Sequence, residues 1–148
     1  RLTFVTGTVA CGKTLELIMT AHQLRSTSGE DRIRVLKPSI DTRFSRHVVR
    51  SAAGLQVAVT DLVSPIDNLL QLDWRGVEYV LVDEVQFFTV LQIEQLRALS
   101  LRQNIEVLCY GLLKDFRCSM FDGSKRLLEL CDRVKTSAAY CKMCRKHG

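Results

Sequence analysis

An α/β fold, with a mostly parallel sheet and helices on both of its faces, is predicted by three features of the 148-residue sequence. Short apolar runs bounded by turn residues alternate with segments whose apolar residues recur at helical spacing. One run, residues 77–82, is apolar almost without interruption, as befits a strand covered on both faces. A glycine-rich turn separates the first apolar run from the first helical segment, a place where α/β sheets receive anionic ligands.

Taken in order, Leu2-Thr3-Phe4-Val5 reads as a short buried strand that ends at Gly7. A helix is predicted over 13–24, where Leu17, Ile18, Ala21 and Leu24 fall on one side. Residues 26–31 read as a loop, 33–36 as a second strand stopped by Pro38, and 39–55 as a polar, basic, weakly patterned loop. Residues 56–60 suggest a short strand. Ser64-Pro65 places a capping hydroxyl before a proline, which predicts a helix running to Leu72. Strand 77–82 follows, then a helix over 90–102, a strand over 105–112 and a last helix over 124–134. The division implied is a nucleotide-binding domain of residues 1–134, with a small appendage over 135–148.

Composition narrows the classes. At 47% hydrophobic, 25% charged and two prolines, the chain is a folded globule rather than a disordered or low-complexity segment. No apolar run approaches the roughly 20 residues that span a bilayer. The first six residues lead straight into the glycine turn, leaving no room for the apolar core of a signal peptide. The expected compartment is therefore the cytoplasm, with no membrane partner. Twenty-one Lys and Arg against 16 Asp and Glu leave a net charge of +5, which suits anionic ligands without choosing among them. The basic residues are scattered except in the tail at 141–147, unlike the clustered face of a nucleic-acid binder. Of six cysteines, Cys109 and Cys131 lie in apolar patterns and read as reduced core residues.

Gly7-Thr8-Val9-Ala10-Cys11-Gly12-Lys13-Thr14 satisfies the P-loop pattern between a strand and a helix. Its glycines let successive backbone N–H groups turn toward phosphate oxygens at a helix N-terminus. Lys13 then reaches the β- and γ-phosphates of a nucleoside triphosphate, and the Thr14 hydroxyl is a ligand for Mg²⁺. Strand 77–82 ends in Asp83-Glu84, two carboxylates at the edge where such sheets bind ligands. Alone, that pair would read as a cap for the next helix. Beside a P-loop, one acid associates with Mg²⁺ and its neighbour serves as general base.

Asp83-Glu84-Val85-Gln86-Phe87-Phe88 downstream of a P-loop resembles the thymidine kinase family of the zinc-containing cellular and bacterial type, which has a RecA-like P-loop core. Asp41-Thr42-Arg43 resembles the family's Asp-x-Arg element. Cys109-Tyr110-Gly111-Leu112, Asp115-Phe116-Arg117 and Phe121-Asp122-Gly123-Ser124 are similar to its nucleoside-pocket strand and loop, and Cys141-x-x-Cys144 to its first zinc-ligand pair. The matches run in the same order over nearly the whole chain. Val85 departs from the family's usual Gly or Ala, and Val9 and Ala10 from its usual P-loop residues.

The resemblance implies transfer of the γ-phosphoryl group of ATP to the 5′-hydroxyl of thymidine. Glu84 would be the proton acceptor, assisted by Lys13 and Arg43. The nucleotide site would comprise Gly7 to Thr14, including Val9 and Ala10, with Asp41, Thr42, Arg43, Asp83, Glu84, Val85 and Gln86. Thr14 and Asp83 would serve Mg²⁺. Val9, Gln86, Phe87, Leu112, Phe116 and Phe121 would line the thymidine pocket. Cys141 and Cys144 would be two of the four ligands of a structural zinc, with a second pair expected beyond Gly148, where the sequence stops. The resemblance also implies a homotetramer and no nucleic-acid partner. A RecA-type ATPase acting on nucleic acid is the alternative reading.

Overall fold

Alternate residues of each central strand face two separate apolar cores, and the two cores decide where the helices lie. The computed structural model describes residues 1–7, 12–39, 48–51 and 54–137, together with the backbone of 140–141 and 146–147. Strands β1 (Leu2–Thr6), β2 (Ile33–Pro38), β5 (Asp61–Val63), β6 (Tyr79–Val82), β7 (Glu106–Tyr110) and β8 (Arg133–Thr136) form one sheet in the order β5-β2-β6-β7-β1-β8. Every neighbouring pair described in it is parallel. Strands β3 (Val48–Arg50) and β4 (Gln56–Ala58) pair antiparallel outside this sheet.

Helix α1 (Lys13–Ser28) buries Leu17, Ile18 and Ala21 against Val5, Val35, Leu81 and Tyr110 on one face of the sheet. Val49 of β3 and Val57 of β4 close the same core. On the other face, α2 (Val90–Arg102) and α3 (Asp122–Leu130) pack Ile93, Leu96, Leu99 and Leu127 over Phe4, Val80, Val82, Val107 and Cys109. The expectation of an α/β sheet covered on both faces thus holds, and the sheet is parallel throughout its described pairs. Cys109 is fully buried and its thiol is pushed up by that burial; Cys131 is half-buried against the same core.

Several local expectations are corrected. Helix α1 runs on to Ser28 instead of stopping at Leu24, with the Ser26 and Thr27 hydroxyls donating back to the carbonyl of Gln23 in its last turn. Gly29, at φ 93°, ends it. The polar stretch 39–55 contains β3, whose signal was the pair Val48-Val49.

The helix predicted from Ser64 to Leu72 does not form. Only a short 3₁₀ turn, Leu69–Gln71, appears there, capped by the Asn68 side chain. Its backbone groups are claimed by tertiary partners: Gln95 Oε1 accepts from Leu69 N at 2.9 Å, and Gln92 Nε2 donates to the carbonyls of Ser64 and Asp67. Trp74 Nε1 takes the Leu69 carbonyl at 2.7 Å. The last helix ends at Leu130 rather than Val134 for a similar reason. Asp132 N donates to Leu2 O and Leu2 N to the Asp132 carboxylate, which recruits the following residues into β8 beside β1.

Candidate active site

A parallel sheet brings the carboxyl ends of its strands to one edge, and here that edge gathers the sequence-predicted residues. β1 delivers Gly7, β6 delivers Asp83 and Glu84, and β7 delivers Gly111 and Leu112. Residues 8–11 of the P-loop, Val9 and Ala10 among them, lie outside the described residues, as do Asp41, Thr42 and Arg43.

Gly12 precedes α1 at φ 93° and is buried, a conformation that a side chain would strain. Lys13 opens the helix and is itself buried, with Thr14 half-buried beside it. Burial holds the Lys13 ammonium below the ordinary lysine range, while the charges of Glu84 and Asp83 draw it back up. One cation and two carboxylates thus share a poorly hydrated corner, Asp83 being 6% exposed. Oxygen donors of this kind, a carboxylate and a hydroxyl, suit a hard cation such as Mg²⁺.

Glu84 stands in the left-handed region, at φ 50° and ψ 47°, where a side chain other than Gly or Asn rarely sits. Such a residue costs about 1–3 kcal/mol and persists only where its surroundings fix it. They do so here. A 3₁₀ turn, Val85–Phe87, begins at once, closed by Phe87 N donating to Glu84 O at 3.1 Å. Gln86, 4% exposed, donates from Nε2 to Glu84 Oε2 and accepts at Oε1 from Leu112 N at 3.0 Å. Val85 is fully buried beneath this turn.

The nucleoside-pocket motifs acquire physical reasons. A Cβ on Gly111 would lie 2.4 Å from Gln86 Oε1 and 2.8 Å from Val85 Cγ1, so only glycine lets β7 pass. A Cβ on Gly123 would lie 2.4 Å from the Phe88 carbonyl, so glycine also lets the start of α3 meet the turn. Ser124 Oγ donates to Leu112 O at 2.5 Å. The rings of Phe87 and Phe121 meet edge to face, 6.0 Å between centroids. Leu112, Phe87 and Phe121 are therefore brought together with Glu84 and Gln86. Phe116 is not: it is 92% exposed on a turn pinned by Asp115, with the Arg117 guanidinium 5.5 Å from its ring.

Lys37 is a residue that the sequence reading passed over. It is 1% exposed, donates from Nζ to the Val48 carbonyl at 3.0 Å, and follows Leu36 as Asp83 follows its partner Val82. The only signal was a lysine between an apolar strand and a proline. Cys141 is described only by its backbone, opposite Lys146 in an antiparallel pair of β9 (Tyr140–Cys141) and β10 (Lys146–His147), and Cys144 lies outside the described residues. No group of three metal-ligating side chains occurs among the described residues, and no described helix is long and apolar enough to cross a membrane.

Known proteins match this arrangement at two levels. At the level of fold, the Pif1 helicase from Candida albicans superposes with a TM-score of 0.55 at 17% identity, covering 92% of this chain and 35% of the helicase. At the level of sequence, a thymidine kinase of Encephalitozoon cuniculi is 36% identical over 148 residues, covering 99% of this chain and 69% of its own. The thymidine kinase of phage T4 is 32% identical over 144 residues (95% and 74%), and that of Xanthomonas campestris 36% over 147 (95% and 69%). The sequence profile described as Thymidine kinase matches residues 1–148, the whole span from β1 through the acid pair to the last cysteines. With glycines, carboxylates and relatives in agreement, the chain belongs to the thymidine kinase family.

Proposed function

We propose that the chain transfers the γ-phosphoryl group of ATP to the 5′-hydroxyl of thymidine. Thymidine kinase is the function that the family and its relatives support. A nucleic-acid-driven ATPase has nothing in its favour beyond a fold shared with a helicase. The observation that carries the reading is the corner of Lys13, Asp83 and Glu84, with the Glu84 carboxylate held by Gln86.

Phosphoryl transfer asks a protein mainly for positioning and charge neutralisation. Lys13 attracts the charge that gathers on the transferred group. As the 5′-oxygen bonds to the γ-phosphorus and the bond to the β,γ-bridging oxygen breaks, Glu84 takes the hydroxyl proton and ADP departs. Thr14 and Asp83 would hold Mg²⁺, whose part is to neutralise phosphate charge. Arg43, with Asp41 and Thr42, joins this set on resemblance alone. Phe87, Leu112 and Phe121 offer apolar contact to the nucleoside. The same resemblance supports a homotetramer in the cytoplasm and a structural zinc at Cys141 and Cys144.

Glu84→Gln keeps the side chain's size but removes the proton acceptor. In a coupled assay on the full-length enzyme, kcat should fall by about 10²–10⁴-fold, with ATP affinity by calorimetry unchanged. Near-normal turnover would exclude Glu84 as the base.

A further inference from the structure

We infer that Gln86 is a positioning residue, one amide that locks the Glu84 carboxylate to the backbone of Leu112 so that base and nucleoside wall are held as a unit. The inference rests on Glu84 being the base. It deepens that reading, since the resemblance puts Gln86 only among the residues that touch ligand.

The orientation of the amide follows from its neighbours. Leu112 N has only a hydrogen to offer, so the group facing it at 3.0 Å must be Oε1. Nε2 is then turned toward Glu84 Oε2 and can only donate. A donor aimed at one carboxylate oxygen fixes the direction in which the carboxylate faces. The amide is 4% exposed, so solvent does not compete for either bond. Its setting has no slack: a single added carbon at Gly111 would collide both with Oε1 and with the fully buried Val85 side chain.

Direction of coupling is also legible. Gln86 lies in the 3₁₀ turn that starts at the strained Glu84 and ends at Phe87, whose ring edge meets Phe121. Leu112, the other end of the clamp, gives its carbonyl to Ser124 at the head of α3. A nucleoside pressing on Leu112, Phe87 or Phe121 therefore presses on the same turn that sets the Glu84 side chain. The base is oriented from the acceptor side of the site, whereas Lys13 is set by α1 on the nucleotide side.

The test compares Gln86→Met, Gln86→Glu and Glu84→Gln in the full-length enzyme, reading kcat and KM for thymidine beside the melting temperature. Methionine keeps length but donates nothing, so the Glu84 carboxylate loses the clamp. We expect kcat to fall by about 10- to 100-fold, with KM for thymidine changing far less. Glutamate keeps the acceptor for Leu112 N but offers Glu84 a carboxyl group in place of the donor, so kcat should fall again even if this variant alone is well folded. A role in stability only would lower the melting temperature of both variants and leave kcat of the folded enzyme where it was. Unmoved kcat in both, beside a disabled Glu84→Gln enzyme, would overturn the coupling. Normal turnover in Glu84→Gln would instead strike at the base assignment itself.

Discussion

Single residues at this site are chosen for the room they leave as much as for the groups they carry. Glu84 occupies a backbone conformation that suits glycine, and the turn around it exists to keep it there. Gly111 does the converse: its missing side chain is the space in which the Gln86 amide sits. Gly111→Ala should therefore displace that amide, destabilising the fold by about 1–3 kcal/mol by overpacking. Thymidine turnover should fall further than the loss of folded protein explains. Melting curves and specific activity of the folded fraction, measured together, check this; a variant with parental activity would show that the close approach is dispensable. Lys13, Asp83 and Glu84 could be singled out because the P-loop and acid-pair patterns fix residue types at set spacings, and the fold brings the three to one corner. Gln86 and Gly111 were visible in the sequence, but their close approach was not, since it depends on how β6 and β7 align.

Elements were legible where local chemistry decides them. Thr89 and Gln92 form a capping box at the head of α2, and that helix spans the predicted 90–102. Residues 64–72 failed because buried glutamines of α2 take up their backbone groups, a partner 25 to 28 positions away that no local window shows. Asp132 is the same kind of residue at the other end of the sheet. It receives two hydrogen bonds from the Arg97 guanidinium, at 2.7 and 3.0 Å, and one from Leu2 N at 2.9 Å, tying α2 to β1 just ahead of β8. The Arg97 bonds first, and the Leu2 bond second, hold its carboxyl at about 2, below the ordinary 3.8. A folded-state value below the unfolded one stabilises above the unfolded pKa, and that contribution fades as pH falls toward 2. Asp132→Ala should thus lower the melting temperature by about 2–4 °C at pH 7, with the gap to the parent closing between about pH 4 and 2. A gap independent of pH would mean that packing, not charge, is what Asp132 contributes.

At the scale of the molecule, the sheet with its two cores is one body, and the tail beyond β8 is where metal enters the account. If Cys141 and Cys144 are half of a tetrahedral site, full-length protein purified without added metal should carry stoichiometric zinc by mass spectrometry. Stripping it with a chelator should lower the melting temperature while leaving ATP binding intact. Metal-free protein with unchanged stability would remove zinc from the description. The strand order has a different consequence, one that concerns time. β1 lies between β7 and β8, with Leu2 against Val107 and Thr3 against Arg133. On a ribosome adding about 5–20 residues per second, β1 waits several seconds for these two neighbours. β1 and the head of α1 are thus made well before the strands that flank β1, so the corner of Lys13, Asp83 and Glu84 cannot close until most of these residues have emerged.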